Sequence, residues 1–313
     1  MQYYLLLLLI CLMDGSKTLA QKCYLKRFGA GPDSSLLLLF LICAFFVPVG
    51  MLAGARFTFT PMAFWMALVF AVISVTCTLV GFAVLHIGNM SKYTLFLYMG
   101  GMLIPFAYGL VFNGDGLSVG KVLCILLVLY ALTLNLDKEE SKSKKAILYY
   151  LLVFLLNGLA CVVIAMHQSA ILGGQPVSSD DFTLWYIALT ALLCIPCLGV
   201  RLWASKGKTL SALFPAQTRN GKSILGRISL SLYAGASYGF GNLLLALCLL
   251  HVEPSAQFPF LTGGSILVVG LLGLFIGERI NKKFILSTAV VMAGCILLLL
   301  SEIGTPLLSF RLL

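Results

Sequence analysis

Charge is scarce in this chain. Of its 313 residues only 10% are Asp, Glu, Lys or Arg, where a soluble globular domain carries about a quarter. That shortage excludes a fold with an ordinary water-facing surface. Acids are rarer than bases, 11 against 21, and there are 3 histidines, so an acid–base or metal centre has few residues to draw on. No HExxH or DDxxD occurs, and a membrane-embedded protease or transferase needs such a cluster. "GLSVG" (116–120) and "GASYG" (235–239) read GxSxG but border or lie within apolar runs, with no histidine nearby in sequence. Asp180-Asp181 is a lone acidic pair in what reads as a connecting segment. Gly207-Lys208-Thr209 and Gly221-Lys222-Ser223 lack the phosphate-loop glycine five residues earlier, where Leu202 and Ala216 stand. Cys194 and Cys197 have CxxC spacing but no second pair and no histidine nearby, so they read as small apolar residues. The expectations are no enzyme activity, no cofactor, no metal and no nucleic-acid partner.

What the chain has is apolar length. Hydrophobic residues make up 60%, and the mean hydropathy is +1.04. A bilayer core takes about 20 mostly apolar residues per helix. Ten segments meet or approach that length: 3–21, 35–54, 62–85, 92–112, 118–136, 146–167, 182–202, 228–250, 257–276 and 283–301. The fold class expected is an all-α membrane protein of ten transmembrane helices with no soluble domain. The first segment also resembles a cleavable leader ending at Ala20, but Met-Gln before the apolar run carries no Lys or Arg.

The second half repeats the first. "YMGGMLIPFAYGLVFNGD" (98–115) aligns with "FLTGGSILVVGLLGLFIGE" (260–278), so that Gly100-Gly101 meets Gly263-Gly264 and Gly114-Asp115 meets Gly277-Glu278. Earlier, Asp14-Gly15 in "LICLMDG" corresponds to Asn157-Gly158 in "LVFLLNG". Five helices (about 1–136) followed by five (about 146–302) form one domain. An odd number of spans per repeat makes the halves inverted. Of the 21 Lys and Arg, 17 fall in connections on one side, and Arg56, Lys121 and Arg311 fall on the other. The positive-inside rule then places both termini outside the cytoplasm, with anionic lipid the partner of the basic cytoplasmic loops.

At "GGMLIPFAYGLVFNGD" and "GLLGLFIGERINKKFILSTAVVMAGCILLL" the chain resembles the drug/metabolite transporter superfamily, in particular its EamA-type ten-helix members. Pro105, Gly277-Glu278 and Gly294 carry the likeness. In the second half Val268 stands where Pro105 stands in the first. The resemblance implies a carrier of a small organic solute in a cell membrane, such as a bacterial cytoplasmic membrane. It also implies both termini in the cytoplasm, opposite to the charge count.

A charged side chain in hydrocarbon costs about 2.5–3.5 kcal/mol on insertion scales, so it faces a cavity or a partner. Asp14 and Lys17 are i and i+3 on one helical face, and Gln21 extends that face by a turn. The alternative is a helix that stops near Met13, with Asp14 as a cap. Asn157 holds the Asp14-equivalent place in the second half and suits a hydrogen bond between helices. In "YAGASYGFGNLL" (233–244), Gly235, Gly239 and Gly241 permit close backbone approach, while Tyr238 and Asn242 share a face. Tyr98, Tyr108 and Trp65 add aromatic surface, and His86 and His251 fall near helix ends. The residues expected to meet a small-molecule substrate are Asp14, Lys17, Gln21, Asn157, Tyr98, Tyr238 and Asn242. A membrane-embedded enzyme and a non-transporting scaffold or sensor are the alternatives to a carrier.

Overall fold

The computed structural model describes residues 2–28, 32–87, 90–112, 114, 116, 118–135, 144–174, 176–204, 221–275 and 282–302. These form ten helices: α1 (Gln2–Phe28), α2 (Pro32–Leu52), α3 (Pro61–Ile87), α4 (Met90–Phe112), α5 (Val119–Asn135), α6 (Lys144–Leu172), α7 (Ser179–Ala204), α8 (Gly221–Cys248), α9 (Pro254–Phe275) and α10 (Lys282–Glu302). No strand occurs among the described residues. The Gly277-Glu278 turn, the charged stretch 136–143 and the basic stretch 205–220 lie outside them.

Leucine-rich runs without backbone competitors propagate the helices, and side-chain oxygens start them. Thr60, Ser118 and Ser178 precede α3, α5 and α7, and their hydroxyls accept the N–H three residues on, from Ala63, Lys121 and Asp181 at 3.2–3.3 Å. Pro32, Pro61 and Pro254 open α2, α3 and α9, where a missing N–H costs nothing. At the end of α6, Gly174 adopts φ +97°, and its N–H reaches the Ile171 carbonyl at 2.9 Å. A left-handed residue there stops the helix.

Two boundaries differ from expectation. The α1 helix runs to Phe28, past the apolar run, because the sequence supplies no glycine or proline between Gly15 and Gly29 to end it. Asp14 is therefore in mid-helix and not a cap. Asp180 and Asp181, read as loop, occupy the first turn of α7. There the buried Asp181 carboxylate accepts the Arg56 N–H at 2.6 Å and the Thr58 hydroxyl. Trp185 Nε1 donates to the Thr58 carbonyl at 2.9 Å, so the α2–α3 connection is pinned onto α7.

Among the described residues six helices are long and apolar enough to cross a bilayer, over Tyr3–Tyr24, Asp33–Leu52, Pro61–Gly81, Ile147–Leu172, Ser179–Ala204 and Leu225–Cys248. This fits a multi-pass membrane protein. Leucines, valines and Trp65 stand exposed along these helices, as a lipid-facing surface requires. Shorter apolar stretches lie in α4, α5, α9 and α10.

The most extensive contacts pair α5 with α10, α4 with α6, α1 with α8 and α9, α3 with α6 and α7, α2 with α7 and α8, and α4 with α9. Several crossings depend on glycine, among them α4 on α6 and α1 on α9. A Cβ on Gly100 would overlap the Phe154 carbonyl, and one on Gly158 would meet Ile104 and the Gly100 carbonyl, so α4 and α6 touch backbone to backbone. Across α1 and α9, Gly15 faces Val268 and Gly264 faces Cys11. Ion pairs tie the helix ends. Asp33 at the start of α2 binds Arg201 at the end of α7, and Lys121 of α5 binds Glu253 just before α9. The main core gathers Phe46, Phe70, Phe182, Tyr186 and Phe258 from α2, α3, α7 and α9.

Candidate functional site

A cavity of about 320 Å³ lies among α1, α2, α3, α4, α6, α8 and α9. Its lining includes Asp14, Lys17, Gln21, Tyr98, Asn157, Tyr238 and Asn242, so all seven residues singled out by sequence reach one space. They come from α1, α4, α6 and α8, and both halves of the chain contribute.

The polar wall is built around α1. Lys17 binds Asp14 Oδ1 one turn back along the helix. Tyr98 reaches across from α4 and donates its hydroxyl to Asp14 Oδ2 at 2.6 Å. The Lys17 ammonium stands 5.2 Å from the centre of the Tyr238 ring on α8, a cation–π distance. Side-chain exposure is 19% for Lys17 and 23% for Asp14. The pair is largely desolvated, and its partners come from two other helices, α4 and α8.

The amides work locally. Asn157 Nδ2 donates to the Leu97 carbonyl on α4 at 2.7 Å, the interhelical bond its position suggests, and Asn157 also lines the cavity. Asn242 Nδ2 donates to the Tyr238 carbonyl one turn earlier at 2.7 Å. Gly101 leaves room for the Asn157 amide, Gly235 for the Ile42 backbone and Gly239 for the Phe46 ring, while a Cβ on Gly241 would meet nothing within 4 Å. Thr262 donates to the Tyr98 carbonyl at 3.2 Å, which ties α9 to α4 beside the pair.

Much of the remaining lining is apolar, with Leu38, Leu39 and Ile42 from α2, Phe70 from α3, and Ala160 and Ile164 from α6, interspersed with Ser35, Ser74 and Thr78. Sequence reading missed these residues, and with them Tyr93, Thr262 and Ser265. An aliphatic residue facing a cavity and one facing lipid are the same residue type, and single serines are common in spanning helices. Other residues lie elsewhere. Trp65 is 62% exposed, Tyr108 stacks on Phe112, and His251 stacks on Tyr3 with ring centres 4.3 Å apart. Helix α3 includes His86. His167 is buried against Phe182 at 3.7 Å, beyond the lining stretch of α6.

Among the described residues no group of three or more His, Cys, Asp or Glu could hold a metal ion. What the cavity offers chemically is a largely desolvated charge pair beside an aromatic face, in a lining that also carries aliphatic side chains.

No family model and no curated protein matches this chain. Solved structures do match. One, described only as "Crystal structure of protein", aligns with a TM-score of 0.70 at 15% identity over 97% of this chain and 99% of that one. The likeness spans nearly the whole of both chains and is one of fold.

Proposed function

We propose that this chain is a secondary carrier, similar to the drug/metabolite transporter superfamily, that moves a small organic solute across a cell membrane by alternating access. The observation that carries the reading is the cavity itself, in which a charge pair in the middle of α1 is held by residues of α4 and α8 inside an otherwise apolar bundle. A charge costs too much in hydrocarbon to be kept there without a partner or a task. The volume is at the lower end of the range for small-molecule sites, so the solute is small.

In this reading all ten helices span, as two inverted repeats of five. The helix pairings support it: advancing each helix number by five, cyclically, turns the set of extensive contacts into itself. Pair α1·α8 becomes α6·α3, α1·α9 becomes α6·α4, and α2·α8 becomes α7·α3, while α2·α7, α4·α9 and α5·α10 map onto themselves. That is the pattern of a two-fold axis between halves. The 17-to-3 division of basic residues orients the chain with both termini outside. Reporters fused to each terminus test the orientation, and a reporter active in the cytoplasm at Leu313 rules it out.

Metabolite profiling of cells with and without the protein tests the function. A carrier changes the distribution of an unmodified solute. A new product points to an enzyme. No change in any solute, with the protein correctly inserted, favours a scaffold or sensor.

A further inference from the structure

We infer that the solute is amphipathic and lies along the cavity, its polar group at the Asp14–Lys17 pair and its apolar end toward the α8–α9 connection, where Ile10, Ile164, Leu245, Phe258 and Leu261 limit its length. The inference rests on the carrier reading and specifies its solute.

The cavity has two ends. At the first, a short connection joins the end of α1 to the start of α2, and another joins the end of α3 to the start of α4. At the second is the α8–α9 connection. His251 stacks on Tyr3, and Cys248 Sγ approaches the Tyr3 carbonyl at 4.0 Å, so this connection lies beside the start of α1. Helix α2 runs back from the first end. The α2–α3 connection and the start of α7, joined by the Arg56 N–H and the Asp181 carboxylate, are therefore at the second.

Polarity falls from the first end to the second along helix after helix. In the first half the lining passes from Gln21 through Lys17 and Asp14 to Ile10 on α1, from Ser35 to Ile42 on α2, and from Thr78 to Phe70 on α3. In the second half it passes from Asn157 to Ile164 on α6, from Asn242 to Leu245 on α8, and from Ser265 to Phe258 on α9. A gradient shared by helices of both halves belongs to the space they enclose. The apolar end is also shut. Ile10, Leu245 and Leu261 meet in one cluster, and Ile164, Leu245 and Phe258 in the next. Gln257 donates to the Leu245 carbonyl at 2.9 Å and holds α9 to α8 there.

A polar group pushed into that end loses its water and finds only hydrocarbon, whereas each methylene placed there gains by leaving water. At the pair the balance is reversed. Lys17 and Tyr98 do not exhaust the acceptor sites of the Asp14 carboxylate, nor does Asp14 exhaust the three donors of the Lys17 ammonium. A head group that donates or accepts finds a partner there, and the chain attached to it points to the shut end. The whole space is about 320 Å³, so the chain has a maximum length.

Straight-chain primary amides from acetamide to decanamide vary the chain under one neutral head group, which offers Asp14 a donor and Lys17 an acceptor. Binding to the purified full chain in nanodiscs is read by calorimetry, with empty nanodiscs subtracted. Affinity is expected to rise about fourfold per methylene, to peak within the series and to fall at least tenfold by its longest member. Leu245→Ala should move the peak to a longer chain and Leu261→Phe to a shorter one, while Gln21→Ala at the polar end leaves its position in place. Where one variant fails to fold, the other and the unmodified chain still decide. A rise without a peak, which reports partition into lipid, overturns the inference. So does a peak that neither variant moves, affinity independent of length, or binding of no member. The carrier reading is judged separately by solute distribution in cells. Altered distribution of a solute without an apolar end refutes only the amphipathic solute, while unaltered distribution of every solute refutes the carrier.

Discussion

Helices α1 and α6 are the first and sixth of the ten described helices, and each carries a polar residue followed by glycine, Asp14-Gly15 and Asn157-Gly158. Both polar residues reach α4, at adjacent positions. Asp14 accepts from Tyr98 and Asn157 donates to the Leu97 carbonyl. From there the two helices diverge. The cavity face of α1 continues with Lys17, Thr18 and Gln21, and that of α6 with Ala160, Cys161 and Ile164. One framework thus presents a charged face and an apolar face to the same space. Glycine at the crossing is kept in both helices because it sets helix approach. The charge appears in one, on the face that lines the cavity.

The largest effect expected from breaking this comparison is steric. Gly158→Ala and Gly100→Ala each drive a Cβ into main chain of the partner helix, and either should cost about 3 kcal/mol or more, at the top of the overpacking range. Gly15→Ala meets the Val268 side chain instead, which can shift, and should cost less. Denaturation in mixed micelles checks the order, and equal costs for Gly15 and Gly158 would contradict it. Next comes the charge pair. Asp14→Asn leaves Lys17 unpaired and should cost about 2–3 kcal/mol, below the ~3–5 of a fully buried pair because each side chain keeps about a fifth of its surface exposed. The double change Asp14→Asn with Lys17→Gln should cost less than the single, and additivity in that cycle would show that the two do not interact. Asn157→Ala removes one interhelical hydrogen bond and should cost roughly 0.6–1.7 kcal/mol, the span measured for such bonds in membranes. Smallest is Gly241→Ala at the open cavity wall, expected within about 0.5 kcal/mol. A severe loss there would mean that the cavity is filled by something the helix must approach.

The helices were legible because long unbroken apolar runs mark a helix almost alone. The end of α1 was not, because Lys22, Lys26 and Arg27 signal the edge of hydrocarbon and say nothing about where a helix stops; only a breaker does, and the next glycine is Gly29. Asp14, Lys17 and Gln21 stood out because charge within an apolar run is anomalous. Leu38 and Phe70 could not stand out, since their role comes from which helices surround them. Lys121 illustrates the reverse error. Counted as a loop charge, it is buried, bonds the Gly116 carbonyl at 2.8 Å and pairs with Glu253. Its partner is 132 residues away, beyond any local pattern.

The helix pairings have a further consequence. Each of the helix pairs named above joins a helix of the first five to a helix of the second five, and the main packing within a half is that of α9 on α10. Neither half, made alone, has its main packing partners, and each would present to lipid the surfaces that the other covers. The covalent link between Asn135 and Lys144 raises the local concentration of one half near the other and supplies none of these contacts. Severed there and produced together, two separate fragments retain every surface needed to find each other. The chain is in this sense a heterodimer whose subunits share one peptide.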